Sequence, residues 1–499
     1  MFQLYRDRPI FVLCIICINI VLSLWCINAD PIVNNDAVTY LSVAQKFVDG
    51  VWNQAFTHYN WPFYSIFIAT VSKLFSIDVS HAAYALNTVF TTLLTLAFVC
   101  IAKELSNNNR NIIIIAALVI LFFPSINKYR SFIIRDFGYL ACYLWSLYFL
   151  VRFSSTLNKT SLLGWLLCTL MSILFRFEGI VFLLIVPYFL LIYATKKSPN
   201  KKTILILLSI VIPLIFISIV VWYLRSKYTG LINDANASGH TVNGLMDLFF
   251  VTVNTKLNGQ SLTATNYLWM LFGNIGDVVY QLLRRMSIIN FGLAFYAYKY
   301  RLVLKKFLFN RIWHIYVAIN LVILVSFSFY NHFIVSRYTL ATSLTLLILV
   351  PFAIKHMLTW AKESNKFAKY SAVFVVLLLT IESIDKLNIE NKKYHIKDAG
   401  AWLSNHTVQG ERIYSNNKLV IYYTDQNPDI NLNNFYNQDM LHELLDLKQT
   451  NQYDYIAYSL VSSYAIDMNF IQRLQNEYGE AIATIPGQGE QIIYIYQRK

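Results

Sequence analysis

The sequence predicts an α-helical polytopic membrane protein with about eleven transmembrane helices, interfacial helices in its first outer loop, and a small exported C-terminal α/β domain. Three observations predict it. Of 499 residues, 57% are hydrophobic and 14% charged, with a mean hydropathy of +0.47, too apolar for a soluble domain of ordinary composition. Many apolar runs approach the roughly 20 residues that a helix needs to cross a bilayer. From about residue 388 the composition turns polar and the pattern alternates.

Spans are expected near 10–27, 83–102, 111–127, 137–151, 161–175, 178–195, 203–224, 286–300, 312–329, 338–354 and 370–387. The first run follows Arg6 and Arg8, as in a signal peptide. It is long and no small-x-small cleavage site follows, so it reads as a retained helix. With the N-terminus inside, the cytoplasmic connections collect Lys196, Lys197, Lys201, Lys202, Lys305 and Lys306, while the tail is acidic. That asymmetry is the positive-inside rule. It accounts for a net charge of +14 and a pI near 9.3 without a nucleic-acid partner, which would need a basic patch on one soluble face. The six cysteines lie in or beside spans, so no disulfide is expected to hold the tail.

The first outer loop, residues 28–82, contains two amphipathic stretches. Ala37 to Asp49 places Val38, Leu41, Ala44, Phe47 and Val48 at helical spacing before Gly50. Pro62 opens a second helix running to about Phe75. Both read as helices lying in the interface, with Trp61 and Tyr64 at headgroup depth. In the loop from Arg225 to Arg285, two further interfacial helices are expected near 245–253 and 267–283. In the tail, Lys397 to Ser404 and Ile466 to Tyr478 read as helices. Arg412 to Tyr423, Tyr453 to Ser459 and Gln491 to Gln497 read as strands.

Asp36 is the residue best suited to chemistry. It lies just past the first span, with Tyr40 one helical turn further on. A carboxylate at the outer face can accept a proton, and ionisable groups near bilayer depth mark function. The alternative is an N-cap for a helix starting at Ala37. Arg135 with Asp136, Arg176 with Glu178, Arg284 with Arg285, and Arg337 all fall at predicted span ends on the same membrane face. Arginine forks suit a lipid phosphate or pyrophosphate. Singly, each reads as a snorkelling residue or as half of a local ion pair. Four such places on one face favour a site. His58 either assists proton transfer or binds a hydroxyl, or serves only the loop's structure. There is no Walker loop, His-Glu-x-x-His or nucleophile elbow.

These segments together resemble the GT-C superfamily of membrane glycosyltransferases, in the branch of protein O-mannosyltransferases and the aminoarabinose transferase of lipid A. The resemblance rests on Asp36-Ala37-Val38-Thr39-Tyr40, Trp61-Pro62-Phe63-Tyr64, Arg135-Asp136, Leu174-Phe175-Arg176-Phe177-Glu178-Gly179, Ser336-Arg337-Tyr338 and Asp398-Ala399-Gly400-Ala401-Trp402. It is good over residues 1–200, loose over 225–330 and moderate beyond. It implies a polyprenyl-phosphate sugar donor and a glycan, lipid or protein acceptor. The acceptor attacks the anomeric carbon with inversion. Asp36 then acts as base or acceptor-orienting acid, and the arginines stabilise the departing phosphate. Tyr40, His58, Arg135, Asp136, Arg176, Glu178 and Arg337 are the expected substrate-binding residues. Many relatives carry two adjacent acids where this chain has Asp36-Ala37, so no metal or other cofactor is expected. A bacterial inner membrane is the expected location. The rival readings are a transporter or lipid flippase, which would place charges near the midplane with inverted repeats, and a non-catalytic scaffold.

Overall fold

The computed structural model describes residues 8–156, 158–195, 264–303, 307–331, 334–363, 366–385, 387, 393–408, 410–424, 453–460, 465–488 and 491–498. The span expected at 203–224 and the helix at 245–253 lie outside these residues. Helices α1 (Pro9–Ala29), α2 (Asn35–Val48), α3 (Trp52–His58), α4 (Phe63–Phe75), α5 (Val79–Leu105) and α6 (Arg110–Leu121) are followed by α7 (Asp136–Thr156), α8 (Lys159–Phe175) and α9 (Gly179–Thr195). Then come α10 (Ala264–Met286), α11 (Ile288–Lys299), α12 (Phe307–Asn331), α13 (Leu340–Leu347), α14 (Val350–Glu363) and α15 (Lys366–Asp385). The tail adds α16 (Tyr394–His406), α17 (Lys418–Tyr422) and α18 (Ala465–Tyr478), with strands β1 (Ile413–Ser415), β2 (Tyr455–Leu460), β3 (Ala483–Pro486) and β4 (Ile492–Gln497).

The chain is an integral membrane protein. Among the described residues, Pro9–Ala29, Val79–Leu105, Arg110–Asn127 and Arg311–Phe329 are each long and apolar enough to cross a bilayer. α1 leaves Leu13, Val21, Leu24 and Trp25 exposed, as a helix that is apolar all round does when lipid is its solvent. The span expected over 338–354 is broken. A 3-10 turn, Ser336–Thr339, leads into α13, and α14 departs at a 43° bend.

The chain packs as two compact units. One comprises Met1–Ile16, Thr91–Ile126 and Asp136–Asp385; the other comprises Cys17–Phe90, Asn127–Arg135 and Lys386–Lys499. In the first, α7 packs along α8, and α8 against α9. α10 ends on its own basic turn, Arg284 and Arg285, which suits a helix C-terminus. Ser287 then turns the chain at φ 66°, and its side chain caps α11 by accepting from the Asn290 amide at 3.2 Å.

In the second unit, α2 packs on α4, the two helices read from the first loop. α3, between them, carried no apolar period in the sequence. The tail forms a four-stranded sheet in the order β1-β2-β4-β3, parallel between β1 and β2 and antiparallel elsewhere. Tyr414, Ile456, Tyr458 and Tyr496 share one face with Ile471, Leu474 and Tyr478 of α18. By alternation Tyr455 faces the other way, where its hydroxyl donates to the His406 carbonyl of α16 at 3.2 Å. β2 is therefore buried on both faces. The strand expected over Arg412–Tyr423 ends at Ser415. Asn417 then accepts from the Leu419 amide at 3.1 Å and starts α17 instead, a local side-chain cap overriding an alternating pattern.

Candidate active site

The site residues read from the sequence fall into two groups, one in each unit. In the first unit, Asp136 begins α7, Arg176 ends α8, Glu178 precedes α9 and Arg337 sits in the 3-10 turn. Arg176 leaves the helix with extended backbone (φ −144°, ψ 124°), and Gly179 N–H closes the turn onto the Arg176 carbonyl at 3.1 Å. This tight turn aims the Arg176 and Glu178 side chains together. The α7–α8 approach depends on Gly138. A Cβ there would stand 2.5 Å from the Phe175 ring, so only glycine lets Asp136 come level with Arg176.

Asp136 and Arg176 are 5% and 6% exposed and form a direct ion pair. Arg176 also holds Glu178 through both carboxylate oxygens, its Nε donating to Oε2 at 3.3 Å and its Nη2 to Oε1. The Arg176 guanidinium lies over the Tyr338 ring at 4.1 Å. Arg337 Nε stands 3.9 Å from Asp136 Oδ2 with its side chain 19% exposed, making it the more open of the two cations. Two arginines thus face two carboxylates. The open recess they line is completed by Tyr139, Asn320, Leu324, Phe327 and Tyr338. A polar head and an apolar wall share one recess. Of these, Tyr139, Asn320 and Phe327 were missed in the sequence, because mid-helix apolar, aromatic and amide residues carry no signal of which face they occupy.

In the second unit, Asp36 lies in the first turn of α2 and is half-buried. The capping reading does not hold, because the helix begins at Asn35 and the cap position falls to Asn34. Asn34 makes no side-chain cap there; its Oδ1 accepts from the Ile133 amide at 2.8 Å, tying the loop to the 127–135 segment. Tyr40 is buried edge-on against Tyr59 (5.8 Å) and Tyr64 (5.1 Å). Tyr59 accepts from Arg135 Nη1 at 2.8 Å, and Tyr64 donates to Asn87 Oδ1 at 2.8 Å. The structure therefore gathers Tyr40 and Arg135 through Tyr59. Arg135 and Asp136 are sequence neighbours, but Arg135 bonds Tyr59 and Asp136 bonds Arg176.

His58 ends α3 with its Nε2 enclosed and without a hydrogen-bond partner; burial first, and Lys46 second, lower its pKa. Two further cations of this unit escaped the sequence reading. Arg130 is 2% exposed and bonds Asn127 Oδ1 (2.7 Å), Asn19 Oδ1 (3.0 Å) and Ser23 Oγ (3.0 Å), pinning the 127–135 segment to α1. Lys418 of α17 is 7% exposed. Burial lowers its pKa and the Asp36 charge opposes that shift. Among the described residues no three His, Cys, Asp or Glu side chains converge as metal ligands.

No protein-family model matches the chain, and no curated protein sequence matches it. Solved structures do. ArnT from Cupriavidus metallidurans in the apo state superposes with a TM-score of 0.52 at 12% identity, over 97% of each chain. The same enzyme bound to undecaprenyl phosphate gives 0.54 at 12%, over 97% of this chain and 98% of that one. The chain shares the fold of ArnT. An oligosaccharyltransferase from Archaeoglobus fulgidus, tethered to an acceptor peptide, overlaps less, with a TM-score of 0.47 at 12% identity over 85% of this chain and 60% of that one.

Proposed function

We propose that the protein is a membrane glycosyltransferase that moves a sugar from a polyprenyl-phosphate donor to a glycan, lipid or protein acceptor at the outer membrane face. The observation that carries this is the buried ion-paired cluster of Asp136, Arg176, Glu178 and Arg337 beside an apolar wall, in a chain with the fold of an enzyme whose structure holds undecaprenyl phosphate. A lipid phosphate needs both surfaces, cations for its oxygens and apolar side chains for its isoprenoid.

On this reading Arg337 meets the phosphate, and Arg176, engaged by two carboxylates, holds the frame. Asp36 keeps the role the resemblance implies. It takes the proton of the acceptor hydroxyl, the acceptor oxygen bonds to the anomeric carbon, and the carbon–oxygen bond to phosphate breaks with inversion. The electron pair leaves on the lipid phosphate, where arginine charge stabilises it. We propose further that about eleven helices span a bacterial inner membrane, with the N-terminus cytoplasmic and the tail outside. No metal takes part, since the carboxylates of the cluster are already paired to arginine.

The test is transfer of radiolabelled sugar from polyprenyl-phosphate donors in membranes containing the protein, with Asp36→Asn and Arg337→Ala alongside and with a chelator. Transfer that survives the chelator and vanishes in Asp36→Asn is the expected result. Full transfer by Asp36→Asn removes Asp36 from the chemistry. Solute accumulation in proteoliposomes without sugar transfer would make the protein a transporter. Reporter fusions at the tail check the topology.

A further inference from the structure

The tail meets the first loop where the Tyr423 hydroxyl accepts from the Val33 amide at 3.1 Å, and the charges of Lys393 and Lys418 lie near enough to act with Asp30 and Asp36 respectively. α17 packs against α2, the helix that bears Asp36. The segment is held rigidly from behind. Asn416, just before α17, exchanges two hydrogen bonds with Ser459 of β2, at 2.7 and 3.0 Å. At its other end Gly400 of α16 comes so close that a Cβ would stand 2.4 Å from Tyr423 Cβ. Lys418 is thus a buried ammonium on a braced turn, followed by the buried apolar residues Leu419, Val420 and Ile421. A buried cation in such surroundings is costly without an anion. The 393–424 part of the tail brings that ammonium to the residue proposed as the base.

We propose that Lys418 is a positioning residue for Asp36: the tail's ammonium fixes the direction of the first-loop carboxylate, so that transfer depends on an intact tail. This rests on the role proposed for Asp36. Asp36 sits in the first turn of α2, whereas Lys418 follows a segment tied to the sheet through Asn416. Misplacing a reacting group by about 1 Å costs on the order of a hundredfold in rate.

The experiment uses the full-length protein in membranes and has two readouts. In sugar transfer, Lys418→Met should lower kcat by roughly ten- to a hundredfold with the donor KM little changed, and Lys418→Arg should restore most of it. Separately, the acylation rate of Lys418 by acetic anhydride at pH 8, read by mass spectrometry, should rise severalfold in Asp36→Asn and return in Asp36→Glu, because loss of the carboxylate leaves more of the amine neutral. Full activity of Lys418→Met beside an inactive Asp36→Asn overturns the inference and spares the proposed function. Full activity of Asp36→Asn overturns the function, while the acylation assay still reports the pairing. If Lys418→Met fails to accumulate, the labelling decides, and an unchanged rate in Asp36→Asn refutes the contact.

Discussion

Replacing Arg176 by Met should destabilise the protein more than any other single change in the pocket. The substitution keeps the aliphatic stem and removes the guanidinium that binds both carboxylates. Asp136 is 6% exposed in its side chain and is left with Arg337 at 3.9 Å as its remaining cation here. Glu178, with 28% of its side chain exposed, recovers part of its solvation. Breaking a buried pair from one side costs about 3–5 kcal/mol, and the contact with the Tyr338 ring belongs to the same loss. Asp136→Asn keeps an acceptor and should cost less, about 1.5–3 kcal/mol. Glu178→Gln should cost least. The combination of Arg176→Met with Asp136→Asn should be milder than the sum of the two, because each removes what the other leaves unpaired. Thermal unfolding in detergent, followed by tryptophan fluorescence, gives the order. If Arg176→Met unfolds no earlier than Glu178→Gln, or if the double variant is additive, the cluster is not the electrostatic unit described.

Three further outcomes are expected. Gly400→Ala should push α17 away from α16 and cost about 1–3 kcal/mol by overpacking, with sugar transfer falling in parallel because Tyr423 and Lys418 move together; unfolding and transfer measured on one preparation check it. Arg130→Lys should fail to replace Arg130, since a single ammonium cannot reproduce the planar fork across Asn127, Asn19 and Ser23, and unfolding should show a loss of about 1.5–3 kcal/mol. The lowered pKa of His58 sets a pH dependence. The unfolded chain takes up the proton first as pH falls through about 6.5, so stability drops from there down to the folded pKa and is fully present above. His58→Gln should flatten that slope in melting curves taken from pH 5 to 8.

Apolar runs and polar punctuation made the helices legible, because a span must be apolar wherever lipid touches it. α4 matches its expected start and end near Pro62 and Phe75, and α2 differs by a residue or two. The charged residues of the pocket were legible for the same reason, since Asp136, Arg176, Glu178 and Arg337 are conspicuous at span ends. Their partners were not. Local proximity suggested Arg135 with Asp136, yet Arg176, forty positions away, takes Asp136, because Gly138 brings α7 and α8 together there. The bend between Leu347 and Val350 and the helix at Lys418 depend on tertiary support and local capping, which a hydropathy pattern does not encode. Lys418 itself reads in sequence as one more surface lysine; only the sheet behind it reveals that it is buried.

The balance of charge in the pocket has a consequence for turnover. On the proposed chemistry the donor is a phosphodiester with one negative charge, and the product is a phosphate monoester carrying about −1.5 to −2 near pH 7. A pocket of unopposed arginines would hold the more charged product harder than the donor, and release would limit the rate. Here two carboxylates oppose two arginines, so the arriving phosphate meets little net charge. What remains, on that chemistry, is directional: the Arg337 fork would meet the oxygen on which charge grows as the sugar leaves. Stabilisation that grows with the bond breaking raises kcat, whereas uniform attraction only lowers KM. Neutralising Glu178 should therefore tighten binding of free polyprenyl phosphate and slow multiple turnovers while leaving the first turnover intact. Single-turnover and steady-state transfer by Glu178→Gln, compared on the same donor, test this. Equal losses in both would show that Glu178 serves the chemical step itself and that charge balance does not govern release.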